Sequence, residues 1–192
     1  MKPLPRFMMV ADVATAARPL PEIVASAVDH GARAVLLRAR SLAAAARAEL
    51  AAALRRVLDP ADGLLIVAGT SDAAVHLSAT QDFPAPRPSI VGRSCHNAHE
   101  VDRAVAEGCD YAFVSPVYAT SSKPGYGPPL GPTGLAALCR PGMPIYALGG
   151  VMPKHVAECR HAGAHGIAAM GPVMRDPTVV AAYLAALTEV TG

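Results

Sequence analysis

The stretch His30-Gly31-Ala32-Arg33-Ala34-Val35-Leu36-Leu37 decides the fold. A helical pattern ends at a glycine, two residues follow, and an apolar run begins. Glycine just past a helix supplies the left-handed conformation that stops it. An apolar run without polar alternation suits a strand buried on both faces. The same order returns in Glu107-Gly108-Cys109-Asp110-Tyr111-Ala112-Phe113-Val114 and in Ala162-Gly163-Ala164-His165-Gly166-Ile167-Ala168-Ala169. The repetition predicts a recurring αβ unit with a parallel sheet.

Outward from these copies, strands are expected near Phe7 to Val10, Ala34 to Leu37, Leu64 to Val67, Ala74 to Leu77, Ser89 to Val91, Tyr111 to Val114, Ile145 to Leu148 and Gly166 to Ala169. The clearest helix runs from Leu42 to Leu58, where Leu42, Ala46, Leu50, Ala53, Leu54 and Val57 share a face. Asn97 with Glu100 forms a capping-box pattern, Pro153 suits a first turn, and Asp176-Pro177 reads as N-cap plus first turn. Strands alternating with helices predict an α/β chain, a compact (β/α)8 TIM barrel occupying residues 1–192 as one domain, although an open doubly wound sheet shares the alternation. The 192 residues fall short of the roughly 250 usual for this barrel. One or two helices are therefore expected to be shortened or missing after strands 3 and 4, with the proline-rich Gln81 to Ser89 as extended loop.

Composition narrows the function. A formal net charge of +2 without a basic run argues against nucleic-acid binding. The four cysteines form no Cys-x-x-Cys pair, so reduced thiols are expected rather than zinc ligands or a disulfide framework. No stretch approaches the ~18 apolar residues of a membrane span, and a cytoplasmic protein with no membrane partner is expected. The apolar content leaves room for a homodimer.

In a barrel, chemistry gathers where strands end and loops begin. The residues there are Arg38 and Arg40; Arg93, Ser94 and His96; Ser115, Thr120, Ser122 and Lys123; Gly149 and Gly150; and Met170 and Gly171. The two glycine-bearing turns offer backbone N–H groups to a phosphate, although Gly-Gly also makes an ordinary tight turn. Lys123 lies in a Thr-, Ser-, Pro- and Gly-rich segment long enough to reach an anionic substrate, or it is simply a solvated lysine. His96 is the histidine expected at a strand end among polar groups and suits proton transfer. His76, between Val75 and Leu77, reads as a barrel-wall residue. Cys95 and His96 point to opposite faces of a strand, which argues against a thiol dyad.

The phrases Leu37-Arg38-Ala39-Arg40-Ser41, Gly92-Arg93-Ser94-Cys95-His96, Asp110-Tyr111, Pro116 to Lys123, Ala147-Leu148-Gly149-Gly150-Val151 and Gly163 to Ala168 occur in an order that resembles the thiamine phosphate synthase superfamily, which includes the thiazole tautomerase TenI. The resemblance spans nearly the whole chain. It implies a small phosphorylated thiazole substrate. Synthases of this superfamily join a pyrimidine diphosphate to a thiazole phosphate with Mg, and their pattern has Gln-Leu-Arg-x-Lys and then Asn-Asp after strand 3. Here Leu36, Arg40 and Ala68-Gly69 stand in those places, while Asp82 matches a second carboxylate and Asp72 is a further candidate to restore a metal site. These departures make a TenI-like tautomerase the leading expectation. In that branch the resemblance implies that His96 moves the proton, that Arg38, Arg40, Ser94, Thr120, Ser122 and Lys123 bind substrate, that Gly149, Gly150, Met170 and Gly171 hold its phosphate, and that no metal or other cofactor is needed. The alternatives are the synthase itself, with Mg and Asp82, and a noncatalytic thiazole-phosphate binder.

Overall fold

A computed structural model describes residues 3–69, 72–120 and 128–190. Eight strands form its centre: β1 (Phe7–Asp12), β2 (Ala34–Arg38), β3 (Leu64–Ala68), β4 (Ala74–Leu77), β5 (Ile90–Cys95), β6 (Tyr111–Val114), β7 (Ile145–Ala147) and β8 (Gly166–Ala169). Each pairs in parallel with the next, and β8 closes on β1 through Phe7 opposite Ile167. Closure removes the open-sheet alternative. Around the barrel lie α1 (Leu20–Asp29), α2 (Ala44–Leu58), α3 (Ala98–Ala106), α4 (Gly131–Leu138), α5 (Val156–His161), α6 (Gly171–Arg175) and α7 (Val180–Glu189). Among the described residues no helix joins β3 to β4 or β4 to β5, which is how a short chain still closes the barrel. Gly31, Gly108 and Gly163, the stop residues of the three repeats, have φ of +100°, +74° and +96°. That is the left-handed region which ends a helix and turns the chain into the next strand.

Alternation on the strands sorts the core into two layers. Val35, Leu37, Val75, Leu77, Val91, Cys95 and Val114 face outward against the helices. Met8, Val10, Leu36, Ile66, Tyr111, Phe113 and Tyr146 face inward and fill the barrel. The three inner aromatic rings lie 5.4 to 5.8 Å apart in tilted and edge-on pairs. At Gly92 a Cβ would stand 2.0 Å from the Tyr111 ring, so the missing side chain is the space that ring occupies.

The structure changes two local readings. Strand β5 runs on to Cys95, so Arg93 and Ser94 lie within it and not after it. Arg93 faces outward and is 0% exposed. Its Nη1 donates to the carbonyls of Ser78 (3.0 Å), Ala79 (3.2 Å) and Gln81 (2.7 Å), and its Nη2 to Glu107. The Asn97 side chain accepts from the Glu100 N–H at 3.0 Å as a cap should, but the Glu100 carboxylate takes the His96 N–H at 2.7 Å in place of that of Asn97.

Candidate functional site

At the carboxyl ends of the strands the barrel opens into a cavity of about 450 Å³. Inward-facing strand residues make its floor, including Leu36, Ala68, His76, Ser94, Phe113 and Ala168. The strand ends and the connections beyond them add Arg38, Arg40, His96, Thr120, Gly149, Gly150, Met170 and Gly171 around the mouth. Of the expected site residues, Arg38, Arg40, Ser94, His96, Ser115, Thr120, Gly149, Gly150, Met170 and Gly171 line this one cavity, Arg93 and the metal candidates Asp72 and Asp82 do not, and Ser122 and Lys123 lie outside the described residues. Arg175 joins them from the last turn of α6. Sequence reading missed it because it lies at the end of a short helix, where no strand-end rule looks.

On the floor, His76 Nδ1 is 2.9 Å from the Tyr111 hydroxyl and Nε2 is 2.9 Å from Ser94 Oγ. Burial, and then Arg40, Arg38 and Arg93, push the His76 pKa down to about 3, so the ring is neutral at ordinary pH. Burial also holds the Tyr111 hydroxyl protonated. His76 is its hydrogen-bond partner among the described residues. Tyr111 therefore donates to Nδ1, Nε2–H donates to Ser94 Oγ, and the Ser94 hydroxyl hydrogen is directed to the cavity. A residue read from sequence as barrel wall thus orients a cavity-facing hydroxyl.

His96 is fixed differently. Its Nδ1–H donates to the Ser115 carbonyl at 2.6 Å while its backbone N–H is held by Glu100. Cys95 beside it is buried on the outer face, and burial followed by Glu100 pushes its thiol up to about 12. No thiol dyad exists here. All four cysteines are free.

The glycine-bearing turns after β7 and β8 are shaped by contact as well as conformation. Gly150 has φ of +65°, and a Cβ there would lie 2.3 Å from the Ala119 carbonyl and 2.7 Å from that of Tyr118. The β6 and β7 loops therefore touch backbone to backbone. Tyr118 N–H donates to Gly149 O at 2.9 Å, and the Tyr118 ring stacks on His155 at 4.0 Å while its hydroxyl donates to Glu158 at 2.7 Å.

Among the described residues every charged side chain lining the cavity is basic: Arg38, Arg40 and Arg175. None of the described residues lining it is a carboxylate. Asp12, at the end of β1, lies 3.4 Å from Arg38 and accepts from Ala14 N–H at 3.1 Å. Asp72 is taken by Arg55, both carboxylate oxygens at 2.7 Å from one nitrogen. Asp82 is fully exposed, 3.9 Å from Arg103. Neither Asp72 nor Asp82 reaches the cavity, so neither restores the metal site expected of a synthase. Among the described residues no group of three or more His, Cys, Asp or Glu could hold a metal ion. The donors present do not fit Mg, which favours carboxylates and phosphate oxygens.

Among the described residues no helix is long and apolar enough to cross a membrane. The profile of the thiamine monophosphate synthase family matches residues 7–173. A putative thiamine-phosphate synthase of Geobacter sulfurreducens is 35% identical over 175 residues, covering 83% of this chain and 82% of the relative. The thiamine-phosphate synthase of Methanoregula boonei is also 35% identical, covering 84% and 81%. In fold, a thiamine phosphate pyrophosphorylase from Pyrococcus furiosus superposes with a TM-score of 0.81 at 22% identity, covering 97% of each chain. These relatives overturn the tautomerase expectation: whole-chain similarity leads to proteins named synthases, whereas that expectation weighed a few short phrases around Arg40, Gly69 and His96.

Proposed function

This chain belongs to the thiamine monophosphate synthase family, and from that premise we propose that it joins a pyrimidine diphosphate to a thiazole phosphate, releasing pyrophosphate. The supporting observation is the cavity itself: about 450 Å³, with a floor apolar apart from His76 and Ser94 and, among the described residues, charged at its mouth only by guanidinium groups. That lining suits two anionic, ring-bearing ligands held side by side.

In the reaction, the bond between the pyrimidine methylene carbon and its diphosphate oxygen breaks, and the electron pair leaves with pyrophosphate. The thiazole nitrogen lone pair forms the new carbon–nitrogen bond. Arg38 and Arg40 hold the diphosphate and stabilise the charge that grows on it as it departs. The backbone N–H groups at Gly149, Gly150, Met170 and Gly171 hold the thiazole phosphate, with Thr120 lining the same cavity. Ser94 donates its hydroxyl hydrogen to a ring acceptor, and His96, tethered to Ser115, walls the opposite side. Holding both partners in contact converts a bimolecular encounter into a local one. The family's use of Mg has no matching donor set here, and no step is assigned to it.

The direct test is thiamine phosphate formation by the purified protein given both substrates, assayed in parallel with Mg and with EDTA. Product above a no-enzyme control is expected. Its absence in both, beside an active synthase control, refutes the reading.

A further inference from the structure

The mismatch between the family's cation and this cavity is itself informative. The chain carries 15 acidic residues, and none falls in the segments 1–2, 70–71, 121–127 or 191–192 that lie outside the described structure. Only Asp12, Asp72 and Asp82 sit at the end of, or in the connections leaving, β1, β3 and β4, where a cation at the mouth would be met. Asp72 is occupied by Arg55 and the Ala73 N–H, and Asp82 points to solvent. Asp12 is engaged by Arg38 and by a backbone N–H. A hard cation would find at most one carboxylate, already paired with a guanidinium.

In that place stand two guanidinium groups. Arg38 closes β2 and reaches across β1 to within 3.5 Å of Met170 sulfur. Arg40, exposed at the mouth, has no ion pair among the described residues. Both act on buried His76, which locates their charge over the cavity floor. Arginine presents planar paired donors that match phosphate oxygens and needs no bridging ion.

We infer that the chain captures the diphosphate of its pyrimidine substrate directly on Arg38 and Arg40, with no divalent cation bridging it to the protein. The inference rests on the synthase reading for the identity of the anion. Its test reads binding rather than turnover. The full chain is titrated with inorganic pyrophosphate by calorimetry, once in EDTA and once in excess Mg. Saturable binding in EDTA is expected, with an affinity not improved more than threefold by Mg. Arg40→Ala should weaken it at least tenfold, with Arg40→Lys recovering part of the loss. Arg40 is exposed, so its variants keep the fold, and unchanged thermal melting verifies that.

Binding that requires Mg, or that is indifferent to both Arg38→Ala and Arg40→Ala, overturns the inference. The two proposals fail separately. Metal-free pyrophosphate binding without product under any condition would sink the synthase reading and leave the anion site standing. Product formed only with Mg, together with pyrophosphate binding only with Mg, would do the reverse.

Discussion

Arg93 and the pair Arg38 and Arg40 carry the same side chain to opposite ends of its range. Arg93 is wholly enclosed between sheet and α3, its two terminal nitrogens spent on three carbonyls and on Glu107, and only Nε lacks a partner among the described residues. The carbonyls it binds belong to the connection after β4, whose Ser78, Ala79 and Thr80 line the cavity. Arg93 stands in for the helix this short barrel lacks there. Arg38 and Arg40 keep donors turned to an open mouth. A charge consumed by the protein's own acceptors supports the wall, whereas one with donors unspent is available to a ligand.

Breaking that contrast at its stronger end, Arg93→Ala takes the buried guanidinium away from the Ser78 carbonyl, leaves Glu107 and the Ala79 and Gln81 carbonyls to Arg103 alone, and should cost about 3–5 kcal/mol. The melting temperature should then fall by roughly 6–20 °C. A fall of under 2 °C would mean the connection after β4 holds itself. The next effect concerns His76. Its folded value near 3, against an ordinary 6.5, means that the unfolded chain takes up a proton which the folded chain refuses. This contribution is complete above pH 6.5 and is lost as pH falls toward 3. Relative to His76→Asn, the wild type should lose roughly 3 kcal/mol between pH 6.5 and 4, read from urea unfolding at each pH. Equal pH slopes would show that His76 is protonated in the folded state.

Ser94→Ala tests the cavity face of the same strand that carries Arg93 outward. It should lower kcat/KM about tenfold, near 1.4 kcal/mol, with little change in melting. A stability loss without a rate loss would make Ser94 a structural partner of His76. Smallest of all, Asp82→Ala should change neither activity nor stability by more than ~0.5 kcal/mol. A large, Mg-linked loss of rate would restore Asp82 to the metal role that its exposure denies it.

Much of the barrel was legible because Gly31, Gly108 and Gly163 act locally: each stops its own helix whatever surrounds it. Strand ends were less legible. Arg93 and Ser94 look like loop residues in sequence, and only pairing opposite Ala112 and Phe113 shows them to be strand. Alternation could have separated their faces once β5 was allowed to run to Cys95. His76 needed Tyr111 and Ser94 for its meaning, neighbours 35 and 18 positions away that spacing cannot reveal. Arg175 comes to the mouth by the turn of a short helix. The choice of branch failed for a different reason: single substitutions such as Arg40 describe how a site binds its ligand, while the family's identity is spread over the whole chain.

The one-sign lining of the mouth also bears on how fast a ligand arrives. The protein as a whole is nearly neutral, at +2, yet Arg38, Arg40 and Arg175 ring a concave opening with low-dielectric walls. Field lines gather in such a funnel, so a multiply charged diphosphate is drawn in from beyond contact range, whereas an uncharged alcohol of the same pyrimidine feels nothing. Association of the diphosphate should slow steeply as added salt shortens the screening length from about 30 Å at 0.01 M to 8 Å at 0.15 M, while its escape rate, set by short-range donors, barely moves.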